Sequence, residues 1–136
     1  MHELFEHTAD LGLRATAPDL NALFAEIAEC LFSAVVEDVA SIRPTMSETL
    51  DIAGDDREFL LFDWLRELLR RFEMDGTLYG RFDVAVRDDG LSATVHGEPV
   101  DRARHQLSHE VKAITYHGLK VERTPDGWLA EVIVDI

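Results

Sequence analysis

The residues with the clearest chemical potential lie near the two ends of the chain. Asp135 is the penultimate residue and Ile136 carries the terminal carboxylate. The stretch from Trp128 to Ile136 alternates without a break, so its end is expected to dock on a sheet rather than fray. Docking would hold two anions together. Adjacent carboxylates repel, and an oxygen-ligated hard cation such as Ca²⁺ or Mg²⁺ would supply the counter-charge. Asp10 follows His7-Thr8-Ala9 at a strand start or turn. It becomes the third carboxylate if the first and last strands are neighbours. The competing reading is a solvated terminus with no ligand.

Lysine usage is a second signal. The chain has 11 Arg but only two Lys, Lys112 and Lys120. A lysine is a compact, mobile point charge, unlike the planar fork of arginine, so its retention at these two positions suggests a purpose. His105 and His109 are four residues apart and would share a helical face, as zinc ligands can. No third zinc-type ligand is at hand, which favours a polar loop with two unrelated histidines. Phosphate-binding Gly-rich loops and a G-x-S-x-G nucleophile elbow are absent, and no nucleophile–base pair stands out.

The elements that must position these groups follow from periodicity. Leu11, Leu13, Ala15 and Ala17 alternate, which predicts a half-buried strand. Asp19 caps a helix over about 19–37, with Leu20, Leu23, Phe24, Ile27, Leu31 and Val35 at three- and four-residue spacing. Pro44 ends that region. A strand over 46–52 and a helix over about 56–73 follow. Beyond Gly76 the texture is all strand: 82–86 and 91–95 around an Asp88-Asp89-Gly90 turn, then 111–116, 119–123 and 128–136, with a polar loop over 101–108. Tyr116 and Trp128 read as core packing. Strands and helices do not alternate regularly. The expectation is one α+β domain over 1–136, a mainly antiparallel or mixed sheet packed with two amphipathic helices.

Composition bounds the function. The 136 residues include 27 acids and 13 bases, for a net charge of −14, and are 46% hydrophobic. That apolar content is too high for a disordered acidic tail. One cysteine rules out a disulfide framework and a Cys-based zinc site. No apolar run is long enough to span a bilayer, and the start lacks signal-peptide character, so a cytoplasmic location is expected. The excess of acids weighs against holding RNA directly. Residues 1–63 carry 14 acids and 3 bases, against 13 and 10 in residues 64–136. The acidic half either faces a basic partner or is solvated surface.

Three segments then become recognisable. His7-Thr8-Ala9-Asp10-Leu11-Gly12, the run from His109 to Leu119, and the closing Val134-Asp135-Ile136 resemble the archease family, in this order and over the whole chain. The resemblance implies a small non-catalytic α+β protein that activates the RtcB-type RNA-splicing ligase. That ligase joins a 2′,3′-cyclic phosphate or 3′-phosphate end to a 5′-hydroxyl end, notably in tRNA splicing, using GTP and Mn²⁺. Its guanylylation and repeated turnover are what the activator would promote. The resemblance also implies a divalent cation, Ca²⁺ in the family, with Mg²⁺ or Mn²⁺ compatible with oxygen ligands. Its ligands would be Asp10, Asp135 and Ile136, and Lys112 would serve activation. His7 and His117 are expected as hydrogen-bonding support behind the acidic site. A chaperone-like interaction module and a stand-alone metal-dependent phosphoester hydrolase remain open alternatives.

Overall fold

Eight strands and two helices follow one another unevenly in a computed structural model that describes residues 1–136. Strand β1 (His2–His7) turns through Thr8 and Ala9 into β2 (Asp10–Ala17). Sequence periodicity assigned no element to residues 2–6, because β1 mixes charged and apolar residues along an exposed edge. Pairing holds it there: Phe5 lies opposite Gly12, and a Cβ at position 12 would sit 2.2 Å from the Phe5 ring. The glycine of the first motif therefore makes room for an aromatic side chain on the neighbouring strand. Arg14 closes over the same ring, 4.3 Å from its centroid.

Helix α1 (Leu20–Val35) starts at Asp19, whose side chain accepts from the Ala22 N–H at 2.8 Å. It ends two residues earlier than the apolar pattern predicts. Helix α2 (Arg57–Asp75) is capped by Asp56, which accepts from the Glu58 and Phe59 N–H groups. It closes at Gly76, whose φ of 67° suits a residue without a Cβ.

Strands β3 (Met46–Ala53), β4 (Thr77–Arg87) and β5 (Gly90–Pro99) form a three-stranded sheet with β5 in the middle. Strand β4 begins five residues before its expected start. The second sheet joins β1, β2, β8 (Gly127–Asp135) and β6 (Ala113–Ile114), and β7 (Lys120–Thr124) shares an edge of β8 with β6. Every pairing is antiparallel. The strand expected over 111–116 is cut to two residues. Both the N–H and the hydroxyl of Thr115 donate to the Ile133 carbonyl, and the His117 N–H donates to the Thr115 hydroxyl. A side chain competing for ladder partners pulls the chain out of the sheet.

Helix α1 packs against β4 of one sheet and β1, β2 and β8 of the other, while α2 touches β3–β5 and also β6 and β7. Trp64 of α2 donates its indole N–H to the Phe24 carbonyl of α1 at 3.0 Å. A single cluster of 32 buried residues takes in both helices and both sheets, so the chain has one core. No helix is long and apolar enough to cross a membrane.

Candidate functional site

Strand β8 organises the site, because both its edges are paired near its end. On one side Leu11 is opposite Val134. One step further along that register, Asp10 comes opposite Asp135. On the other side Ala113 is opposite Asp135, and the Lys112 N–H donates to the Asp135 carbonyl at 2.7 Å. The next step sets Lys112 opposite Ile136. Asp10, Lys112, Asp135 and Ile136 thus meet at one end of the five-stranded sheet. Directly opposed residues project from the same face with Cβ atoms about 5 Å apart, and the inward face here is held by the buried Leu11 and Val134. Asp10 and Asp135 therefore share the outward face.

The histidines stand beside this end. His7 Nδ1 is buried without a hydrogen-bond partner and lies 4.0 Å from an Asp10 carboxylate oxygen, too far for a hydrogen bond. The His117 ring is 5.0 Å from the His7 ring, tilted by 60°. Thr8, in the connecting turn, has a φ of 51°, a conformation that β-branched residues avoid. A strained turn and an orphaned imidazole nitrogen lie beside the same carboxylate. Both features concentrate where function resides.

The two lysines, alike in sequence, differ in the fold. Lys120 Nζ lies 4.0 Å from carboxylates of Glu122 and Glu131, whereas Lys112 is exposed and in no ion pair. A divalent cation could be held by Asp10, Asp135 and the Ile136 carboxylate, with the unpartnered His7 nitrogen 4.0 Å from Asp10. This donor set fits a hard cation. Elsewhere, His2, Glu26 and Glu29 bring three donors within 4.8 Å of one another. There His2 Nδ1 already bonds Glu26 at 2.7 Å, and the N-terminal ammonium lies 3.4 Å from the same carboxylate.

Of two sequence expectations, the one of unrelated histidines in a polar loop holds and the one for Tyr116 changes. His105 and His109 do not form a pair, because the segment is not helical. His105 is buried, bonded through Nε2 to Glu98 at 2.9 Å, and its Nδ1 accepts from the Asp101 N–H. Tyr116 is not a core residue: it is 57% exposed, stacked at 4.0 Å on Phe62 and edge-on to Phe59 at 5.6 Å. Trp128 is half-buried beneath Arg57 and Arg123. Phe59, which opens the apolar run of α2, also faces outward and is 56% exposed. Its position in the first turn of that helix was the signal that it could face out.

Comparison with known proteins finds relatives of the whole chain. The model of the archease protein family (MTH1598/TM1083) matches residues 2–136. A protein archease from Pyrococcus furiosus is 39% identical, covering 98% of this chain and 97% of its own. One from Methanopyrus kandleri is 38% identical, covering 98% of each. The solution structure of Methanobacterium thermoautotrophicum protein 1598 superposes with a TM-score of 0.81 at 32% identity, over 99% of this chain and 98% of that one. A Thermotoga maritima archease, described as a possible chaperone, shares the fold with a TM-score of 0.64 at 22% identity, covering 100% of this chain and 98% of its own. With a family match over nearly its full length and relatives above 30% identity, this chain belongs to the archease family.

Proposed function

We propose that this protein activates a GTP-dependent RNA-splicing ligase by presenting the acidic end of its five-stranded sheet to the ligase's active site. The observation that carries this reading is the register. Three segments far apart in sequence bring Asp10, Lys112, Asp135 and Ile136 to one strand end.

Asp10, Asp135 and the Ile136 carboxylate would hold a divalent cation, with Ca²⁺, Mg²⁺ and Mn²⁺ all compatible with oxygen ligands. When bound, such a cation neutralises charge on phosphate oxygens, the main requirement of phosphoryl transfer. The chain's own residues do the rest. The β2/β8 ladder fixes the spacing of the two aspartates. Lys112, mobile and unpaired, can meet a phosphate at the partner's site. A net charge of −14 suits approach to a basic surface built to hold RNA, since opposite potentials steer association.

Ligase guanylylation and multiple-turnover ligation, measured with and without this protein across Mn²⁺ concentrations, test the reading. The wild type should stimulate most at limiting metal. Asp10→Asn or Asp135→Asn should lose on the order of tenfold or more of that stimulation, as expected when a site loses one charged ligand. Calorimetric titration of the isolated protein with Ca²⁺ or Mn²⁺ should show the same loss in affinity. No effect of the wild type at limiting metal would overturn the proposal. Unchanged turnover with Lys112→Ala, where Asp10→Ala abolishes stimulation, would remove the role given to Lys112. A general chaperone, the reading favoured by the description of the Thermotoga relative, would instead protect unrelated proteins from aggregation without stoichiometric dependence on the ligase.

A further inference from the structure

Two large aromatic side chains lie open side by side on this surface. Phe59 is 56% exposed and Tyr116 is 57% exposed. They touch each other edge-on at 5.6 Å, and Tyr116 lies flat on Phe62, ring to ring at 4.0 Å and 14°. Phe62 is itself buried in the core, so it anchors the pair from below. Leu119 and Glu58 complete a shallow pocket around them. Single exposed apolar residues are ordinary, but a contiguous, rigid aromatic patch marks a surface that is covered in use. Tyrosine over an apolar base also suits an interface anchor, offering large area at little entropic cost.

Its position says what would cover it. Tyr116 is the chain neighbour of His117, whose ring packs on His7 beside Asp10. One step along the chain thus separates the patch from the histidine pair beside Asp10. The opposite side of the patch meets the start of α2, where Asp55, Asp56, Glu58 and Asp88 outnumber Arg57, while Arg66 over Phe62 is paired with Asp63. An apolar centre between two acidic flanks complements a basic protein surface with an apolar contact at its middle. A second copy of this chain would set acidic flank against acidic flank. RNA would bring its phosphates to the same flanks. Both meet repulsion that a basic protein surface does not.

We propose that the Phe59–Tyr116 platform is the hydrophobic anchor by which this protein docks onto the basic surface around the ligase's active site. The inference rests on the function proposed above and gives it a docking point separate from the acidic residues that serve activation. Anchor and acids then do different work. Loss of the anchor weakens binding and leaves the maximal effect intact, whereas loss of an acid lowers the maximal effect.

Binding of full-length wild type, Tyr116→Ala, Phe59→Ala and Asp10→Asn to the cognate ligase, measured by calorimetry at low and high salt, tests this alongside ligation rates over a range of activator concentrations. Tyr116→Ala and Phe59→Ala should each raise Kd about tenfold and move the half-saturating concentration by the same factor. Their maximal stimulation should match wild type, and their melting temperatures should fall by only a few degrees, each having lost an aromatic contact at a half-exposed site. High salt should weaken wild-type binding. If the wild type binds and stimulates but both alanine variants bind within twofold of it, the anchor is wrong and the proposed function stands. If the wild type neither binds nor stimulates the ligase, both fall. Two further results would also overturn the anchor: a single-stranded RNA affinity, or a self-association seen in sedimentation, that Tyr116→Ala abolishes.

Discussion

Glu98 is the acid whose removal has the most legible consequence. It lies at the end of β5 with 7% of its surface exposed. Its carboxylate accepts from the Arg43 N–H at 2.7 Å, from His105 Nε2 at 2.9 Å and from the Arg104 guanidinium. Burial pushes the carboxyl up, but hydrogen bonds from Arg104, Arg43 and His105 outweigh it and hold its pKa down at about 2. These bonds strap the 101–110 loop to the sheet, and that loop leads directly into Lys112. In Glu98→Gln the charge is gone, and one amide oxygen must serve donors that two carboxylate oxygens now share. The amide NH₂ would also face a guanidinium, donor against donor.

The magnitude follows from the same geometry. The interval from the ordinary 4.5 to about 2 corresponds to about 3 kcal/mol at roughly 1.4 kcal/mol per pH unit. Arg104 is 28% exposed, so solvent screening reduces this to about 2 kcal/mol. At an m-value of about 2 kcal/mol per molar urea, the midpoint at pH 7 should fall by about 1 M. The contribution depends on a lowered pKa. It is therefore present in full above pH 4.5 and fades as the pH falls toward 2. Urea unfolding of both proteins from pH 7 down to pH 3 should show the gap narrowing through that window. Equal midpoints at pH 7 would refute the strap, and a gap that stays constant from pH 7 to pH 3 would refute its electrostatic origin.

Other consequences can be checked on the isolated protein. Cys30 is fully buried and burial pushes its thiol up to about 11, so a thiol reagent at pH 8 should leave it unmodified until denaturant unfolds the chain. A Cβ at Gly97 would lie 1.8 Å from the Leu78 carbonyl and 2.9 Å from the Tyr79 Cα. Gly97→Ala should cost about 3 kcal/mol or more, or prevent folding, as a thermal melt would show. Tyr79 donates to Glu48 beside Arg71, and Tyr79→Phe should cost about 1 kcal/mol in urea unfolding. In wild type that phenol, raised to about 12 by burial and by Glu48, should show no ultraviolet titration at pH 10.

The helices were legible because their information is local: a stripe at helical spacing, an aspartate before each, and a glycine after the second. Strand β1 was not, since what holds it is the contact of Phe5 with Gly12 on another strand. The convergence of Asp10 and Asp135 could be anticipated from an apolar pattern that runs to the chain end. Spacing and composition left Lys112 and Lys120 alike and only the family resemblance singled out Lys112; the fold separates them physically, giving Lys120 two carboxylates and Lys112 no ion pair. Tyr116 was misplaced because alternation over 111–116 reads as a full strand. Thr115 ends that strand by bonding the Ile133 carbonyl with its own hydroxyl, and residue 116 then leaves the sheet for the surface.

The charge of the chain acquires a direction once the ion pairs are placed. Arg14 is held by Glu3 and Glu131, Arg71 by Glu48 and Glu67, and Arg87 by Asp51 and Asp89. Most of the basic groups are thus neutralised by acids of the same molecule. The negative charge left over is not spread evenly, because the sheet end gathers Asp10, Asp135 and a terminal carboxylate with Lys112 as their only nearby lysine. Within a Debye length of about 8–10 Å such a cluster acts as one anionic feature, and an aromatic platform lies beside it. A surface of this kind repels a phosphate backbone and attracts the basic groove that holds one. In the proposed role, the acidity that weighs against holding RNA is what brings this protein to the enzyme that holds it.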